Sequence, residues 1–170
     1  MRVRLVLLGP LAAAIVLAPA SAEAFERQWH VGVDGGYASL FGDHSAAGFG
    51  GGAHATYGLT DAFNAMLDLS ASRHPNAGTT VWSGGAGVAY TLDVARAVPY
   101  AGLLVGGYKL AGDLSTFAPG AQIALGLDYE LDRNWAIGVE LKMHTLFAPS
   151  PVGVTAYATT FLRFEYSWGF

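Results

Sequence analysis

The sequence predicts an all-β fold: a single antiparallel up-and-down transmembrane β-barrel of about eight strands that follows a cleaved signal peptide. Segments of about 10 residues alternate between apolar and polar side chains and are separated by turn residues, a pattern typical of membrane-spanning strands. The chain is 52% hydrophobic, only 13% charged and contains 23 glycines. After residue 24, no apolar stretch reaches the roughly 18 residues that a spanning helix requires. Strands are therefore the expected means of crossing a membrane.

The C-terminal segment, residues 155–170, shows the alternation most clearly. It reads TAYATTFLRFEYSWGF. Even-numbered positions place Leu162 and Phe164 on one face with further aromatic residues, whereas Arg163 and Glu165 lie on the other face. A period of two residues is that of a β-strand, not that of a helix. The segment predicts a strand whose apolar face meets lipid.

Further upstream segments share this alternation. They are residues 28–41, 49–59, 63–72, 80–92, 100–110, 121–131 and 135–144. Turn-forming residues predict short turns at 60–61, 93–99 and 132–134, and longer loops at 42–48, 74–79, 111–120 and 148–153. With an even number of strands, both chain termini are expected on the side of the short turns.

The N-terminal segment has the three parts of a secretory signal peptide. Met1 to Arg4 is basic, residues 5–19 are apolar, and Ala20-Ser21-Ala22 and Ala22-Glu23-Ala24 both fit the small-x-small cleavage pattern. An uncleaved anchor fits less well, because a spanning helix needs about 20 predominantly apolar residues. The prediction is a signal peptide at residues 1–24 and one barrel domain at residues 25–170.

Two motifs, one at the C-terminus and one in the middle of the chain, carry a family resemblance. The pattern Phe164-x-Tyr166-x-Trp168-x-Phe170 and the segment Pro99-Tyr100-Ala101-Gly102 resemble the small bacterial outer-membrane β-barrels of the outer-membrane protein A-like and opacity-protein-like superfamily. The resemblance implies a location in the outer membrane of a Gram-negative bacterium, with outer-membrane lipid around the barrel. It also implies that Phe164, Tyr166, Trp168 and Phe170 form the signal read by the barrel-assembly machinery.

The inward faces of the predicted strands collect most of the charged residues. An eight-stranded barrel is just wide enough for side chains to fill its interior, and buried charges persist when they are paired. We therefore predict an internal network of ion pairs and hydrogen bonds; a narrow pore for ions or small solutes is the alternative. The fifth strand has apolar residues on both faces, and its assignment here places Lys109 inside and Tyr100 and Tyr108 on the outward face. The predicted network consists of Asp34, Asp68, Lys109, Asp128, Glu130, Glu140, Lys142, Arg163 and Glu165, with His30, His54 and His144 among them.

Other functional classes have weaker support. The net charge of −4 gives no indication of a nucleic-acid partner, and the absence of cysteine excludes a disulfide framework. No ligand spacing predicts a metal or another cofactor. Some small outer-membrane barrels modify lipid A, but His74 and His144 do not match the His-x-Ser-Asn motif of the deacylases. His44 and Ser45 are adjacent, so they could act together only in a loop. We predict a structural or surface-interaction barrel that is not an enzyme, with a lipid-modifying enzyme as a further alternative.

Overall fold

The computed structural model describes residues 26–42, 45–93, 95–112, 115–147 and 154–169. The predicted signal peptide at residues 1–24 and the last residue of the predicted assembly signal, Phe170, lie outside this part of the chain, as do Asp43 and His44. In the described part, no helix has the length and hydropathy needed to cross a bilayer.

Eight strands form one closed antiparallel barrel in which each strand pairs with its neighbours in sequence, so the predicted fold is confirmed. The strands are β1 (Trp29–Gly42), β2 (Ala46–Gly58), β3 (Phe63–His74), β4 (Thr79–Thr91), β5 (Ala97–Ala111), β6 (Thr116–Glu130), β7 (Trp135–Leu146) and β8 (Val154–Trp168).

Pairing of the first and last strands closes the sheet. The register runs from Trp29 opposite Trp168 to Phe41 opposite Ala156. An open sheet would leave a row of unpaired N–H and C=O groups in hydrocarbon, whereas closure satisfies them all. Closure also assigns every strand residue either to the enclosed interior or to the outer surface.

Side chains cap two of the turns at the end that holds both termini, called the termini end below. The hydroxyl of Thr60 accepts hydrogen bonds from the backbone N–H groups of Ala62 (3.3 Å) and Phe63 (3.0 Å). The carboxylate of Asp132 accepts from the N–H groups of Asn134 (2.8 Å) and Trp135 (2.9 Å). Such self-capped polar turns are compact, and in outer-membrane barrels short turns face the periplasm.

The opposite end, called the loop end, has longer strands than the sequence predicted. Residues 46–48 belong to β2 and residues 116–120 belong to β6, although both stretches were predicted as loop. Glycine and Pro119 suggested a loop, but register pairing with β1 and β5 extends the strands through them. The connection between β3 and β4 is a single 3₁₀ turn, Pro75–Ala77, ended by Gly78 with φ of 60°.

The outer surface is apolar and carries aromatic residues near the termini end. Trp135 contacts Phe164 and Tyr166 with ring centroids 4.8 and 4.7 Å apart. Trp29 stacks on Trp168 at 6.5 Å. Amphipathic rings of this kind favour the boundary between lipid and water. Phe164, Tyr166 and Trp168 of the predicted assembly signal are thus part of an outward-facing aromatic belt.

The apolar outer surface predicts that the cost of an outward-facing charge depends strongly on its depth in the bilayer. Leu125 lies near the middle of β6 and faces outward, whereas Leu131 lies just past its end. Leu125→Arg should lower the free energy of unfolding by about 2–4 kcal/mol, and Leu131→Arg by about 0–1 kcal/mol. Urea unfolding of the barrel in phospholipid vesicles measures both values. Equal effects at the two positions would contradict a membrane-embedded β6.

Candidate functional site: the barrel interior

Charged side chains are buried inside the barrel, at positions supplied by five of the strands, β1, β3, β6, β7 and β8. Most of the residues predicted for the interior lie there, and Glu130 lies half-buried at the termini end. The fully buried members are Asp34, Asp68, Asp128, Glu140, Lys142, Arg163 and Glu165.

Lys109 is the exception, and its predicted interior position is wrong. It is exposed on the outer surface, opposite Trp82 of β4, together with Leu103 and Val105. Tyr100 and Tyr108, predicted to face outward, point into the barrel instead. The alternation could not distinguish the inward from the outward face of β5, because this strand lines a largely apolar part of the interior and both of its faces are therefore apolar.

The ammonium group of Lys142 lies among three carboxylates. Oxygen atoms of Asp34, Asp68 and Glu140 lie within 4.8 Å of one another. The Lys142 Nζ is 3.0 Å from Glu140 Oε2 and 4.0 Å from Asp34 Oδ2, and it donates a hydrogen bond to Asp68 Oδ2. All four side chains are at most 1% exposed. Lys142 thus supplies the positive charge at the point where these acids could otherwise hold a metal ion.

Arg163 forms a second ionic centre on the termini side of Lys142. Its Nη2 donates to Glu165 Oε2 at 3.0 Å, and its Nη1 contacts Glu140 Oε1 at 3.4 Å and Asp128 Oδ2 at 3.7 Å. Tyr100 packs its ring 4.8 Å from the guanidinium and donates its hydroxyl to Glu140 Oε1 at 2.7 Å. Glu140 therefore joins the two cations into one network.

His54 links the same network through both ring nitrogens. Its Nδ1 lies 3.2 Å from Asp34 Oδ2 and its Nε2 lies 3.0 Å from Glu165 Oε2. His30 contacts the other oxygen of Glu165 at 2.9 Å. A neutral imidazole has only one N–H, so two carboxylate contacts require either an imidazolium or one protonated acid. The site therefore holds a proton between His54 and its acids.

The interior at the loop end holds an apolar and aromatic cluster, with a few buried polar side chains such as Ser72, His74 and Thr79 around it. Tyr108 and Tyr157 meet edge to face at 5.9 Å, and His144 stacks on Tyr157 at 3.9 Å. Both tyrosines are 2% exposed. We call this region the loop-end plug; it comprises Leu40, Ala46, Val81, Tyr108, Leu110, Ala118, Leu146, Val154 and Tyr157.

A cavity of about 50 Å³ lies at the termini end. Its walls include His30, Tyr100, Glu130, Arg163 and Glu165. A water molecule needs roughly 10–15 Å³ of such space, so the cavity has room for a few. The cavity thus reaches the Arg163 centre of the network, whereas neither Lys142 nor any residue of the loop-end plug lines it.

The histidines weighed as enzyme candidates have internal partners. His74 donates its Nδ1–H to the carbonyl of Ala46 at 3.3 Å, and its Nε2 lies 3.0 Å from Ser72 Oγ. His144 contacts Tyr108 and Thr159 at 3.4 Å each. Both histidines are 0% exposed, and neither lines the cavity. His44 lies outside the described residues.

The comparison with protein families identifies the architecture. Residues 8–170 match the family model described as outer membrane protein beta-barrel domain. The chain belongs to this outer-membrane barrel family. None of the curated proteins matches it by sequence.

Solved outer-membrane barrels share the fold of this family member. Neisserial surface protein A superimposes with a TM-score of 0.69 at 19% identity, over 84% of this chain and 97% of that one. The N-terminal barrel domain of Pseudomonas aeruginosa OprF gives 0.60 at 16% identity, over 84% and 98%. Ail, the attachment invasion locus protein of Yersinia pestis, gives 0.59 at 13% identity, over 84% and 99%.

Sequence reasoning missed the role of several aromatic residues in this barrel. Tyr100, Tyr108 and Tyr157 complete the interior, but aromatic side chains suggested a lipid-facing position for the first two. One signal was present: Tyr157 and Phe161 lie on the charged face of the closing strand. Aromatic residues on an otherwise polar face indicate an interior that is partly apolar.

The Lys142 centre predicts a large effect of removing its single cation. Lys142→Met leaves three buried carboxylates without their ammonium partner and should cost about 3–5 kcal/mol. Adding Asp68→Asn should recover part of this loss, because it removes one of the negative charges. Urea unfolding in phospholipid vesicles gives both values.

The outward Lys109 provides the matched control. Lys109→Met makes the same chemical change near the end of a strand and should alter stability by at most about 1 kcal/mol. Similar losses for the two lysine variants would contradict their placement on opposite sides of the barrel wall.

Proposed function

We propose that this outer-membrane barrel has a structural and surface-interaction role and does not conduct ions. The observation that carries the proposal is the filled interior: the ion-pair network occupies the middle, and the loop-end plug lies beyond it. Export through the predicted signal peptide, and recognition of Phe164, Tyr166, Trp168 and Phe170 by the barrel-assembly machinery, are parts of the same proposal.

Charge compensation supports a static network. Lys142 and Arg163 each contact more than one carboxylate, and Glu140 contacts both. Moving either cation to admit an ion would leave buried acids unpaired, which is costly in a low-dielectric interior. The network is therefore better suited to hold the barrel wall together than to open as a path.

The loop-end plug also supports a barrel that does not conduct ions. Leu40, Leu110 and Val81 are each 1% exposed and pack with Tyr108 and Tyr157. An apolar constriction of this kind opposes both wetting and ion entry. Contacts with molecules outside the cell then belong to the outer surface and the loop end, not to the lumen.

A narrow pore is the second candidate, and the cavity at the termini end favours it. That cavity reaches Arg163 and Glu165 and would form one half of a path. A conducting state would require the Lys142 centre and the loop-end plug to rearrange.

Planar-bilayer recording separates the two functions. The parent barrel should show no discrete conductance, whereas Tyr108→Ala combined with Tyr157→Ala should produce it by removing the two largest side chains of the plug. The matched control is Tyr37→Ala combined with Tyr129→Ala, because these tyrosines are exposed on the outer surface. This control should remain silent.

Discrete conductance of the parent barrel that changes in Glu140→Gln would overturn the structural proposal in favour of the pore. Silence of the plug variant, with heat-modifiable migration showing that it is folded, would mean that the ion-pair network alone blocks the lumen. That result would contradict the role assigned to the plug.

A further inference from the structure

The outward faces of the strands carry charge at only two described positions. These are Arg73 on β3 and Lys109 on β5, and both are exposed. The other charged residues of the described strands point into the barrel. Two cations with no acid among them are an asymmetric set on strand faces that are otherwise uncharged.

Both cations lie near the loop end and on either side of β4. Arg73 pairs with Thr80, and Lys109 pairs with Trp82, two residues further along β4. Neighbouring strands are about 4.7–4.9 Å apart, so β3 and β5 are separated by about 10 Å. Arginine and lysine side chains can bridge such a distance to a shared ligand.

The surroundings are those of a lipid headgroup boundary. On the bilayer side of the cations, the outward residues are Leu69 and Ala71 on β3 and Val105 on β5. Trp82 is 57% exposed between them, and Phe117 is 71% exposed beside Lys109. A ligand here would meet the two cations and the aromatic rings of Trp82 and Phe117 at one level, with apolar side chains below them on the bilayer side.

Neither cation forms an ion pair or hydrogen bond with a described residue. A charge at the edge of the hydrocarbon region needs a partner or water. No acidic residue of the described strands faces outward at that depth, whereas lipid headgroups supply anions there. We propose that Arg73 and Lys109, on either side of Trp82, form a binding site for the phosphate group of a lipid in the leaflet at the loop end.

Lipid titration followed by native mass spectrometry tests the site. The folded barrel in a neutral detergent would be titrated with bisphosphorylated lipid A and with the same glycolipid after removal of its phosphates. Basic residues at a membrane surface attract anionic lipids, and two of them together predict at least about a tenfold preference for the phosphorylated form.

The variant Arg73→Gln combined with Lys109→Gln should reduce that preference to less than about threefold. Arg96→Gln is the matched control, because Arg96 is exposed in the turn at the opposite end; it should keep the parent's preference. Heat-modifiable migration verifies that each variant is folded.

Three results would overturn the proposal: no preference in the parent barrel, an unchanged preference in the double variant, or an equal loss in Arg96→Gln. Inorganic phosphate in excess distinguishes a lipid from a free anion as the occupant. Retention of lipid A binding in its presence supports the lipid site, and full displacement would contradict it.

Discussion

Closure of the sheet by pairing between β1 and β8 is the constraint on which the rest of the structure depends. In hydrocarbon no solvent can satisfy an open edge, so all eight strands must complete one cylinder. Closure then divides the side chains into two environments with opposite demands. The outer set must be apolar to meet lipid, and the inner set must fill a narrow space without leaving a charge unpaired.

The inner set meets this demand with two cations placed where acids from several strands converge. Lys142 and Arg163 share Glu140, and His54 connects Asp34 to Glu165. Residues far apart in sequence thereby tie opposite parts of the wall together. Toward the loop end the interior changes from ionic to aromatic, so the two ends of the lumen differ: one has a cavity and the other is packed.

The outer set is organised differently. Aromatic rings lie toward both ends and apolar residues cover the middle, whereas the two outward cations of the described strands lie toward the loop end only. In a bilayer whose leaflets differ in headgroup charge, the cations favour placing the loop end in the more anionic leaflet. The outer surface therefore favours one orientation of the barrel, which the alternation of the strands alone does not.

The sequence by itself determined the strand number, the shared side of the termini, the two faces of the closing strand and most of the buried acids, because period-two alternation follows directly from strand geometry. Tertiary structure decided the face of β5, since Tyr108 and Leu103 are both apolar and only the packing around His144 and Tyr157 distinguishes inside from outside. It also extended β2 and β6 through glycine and Pro119, where pairing overrides local preference. The meeting of Lys142 with Asp68, 74 residues apart, depends on the strand register and the diameter of the closed barrel, and neither is a local property of the chain.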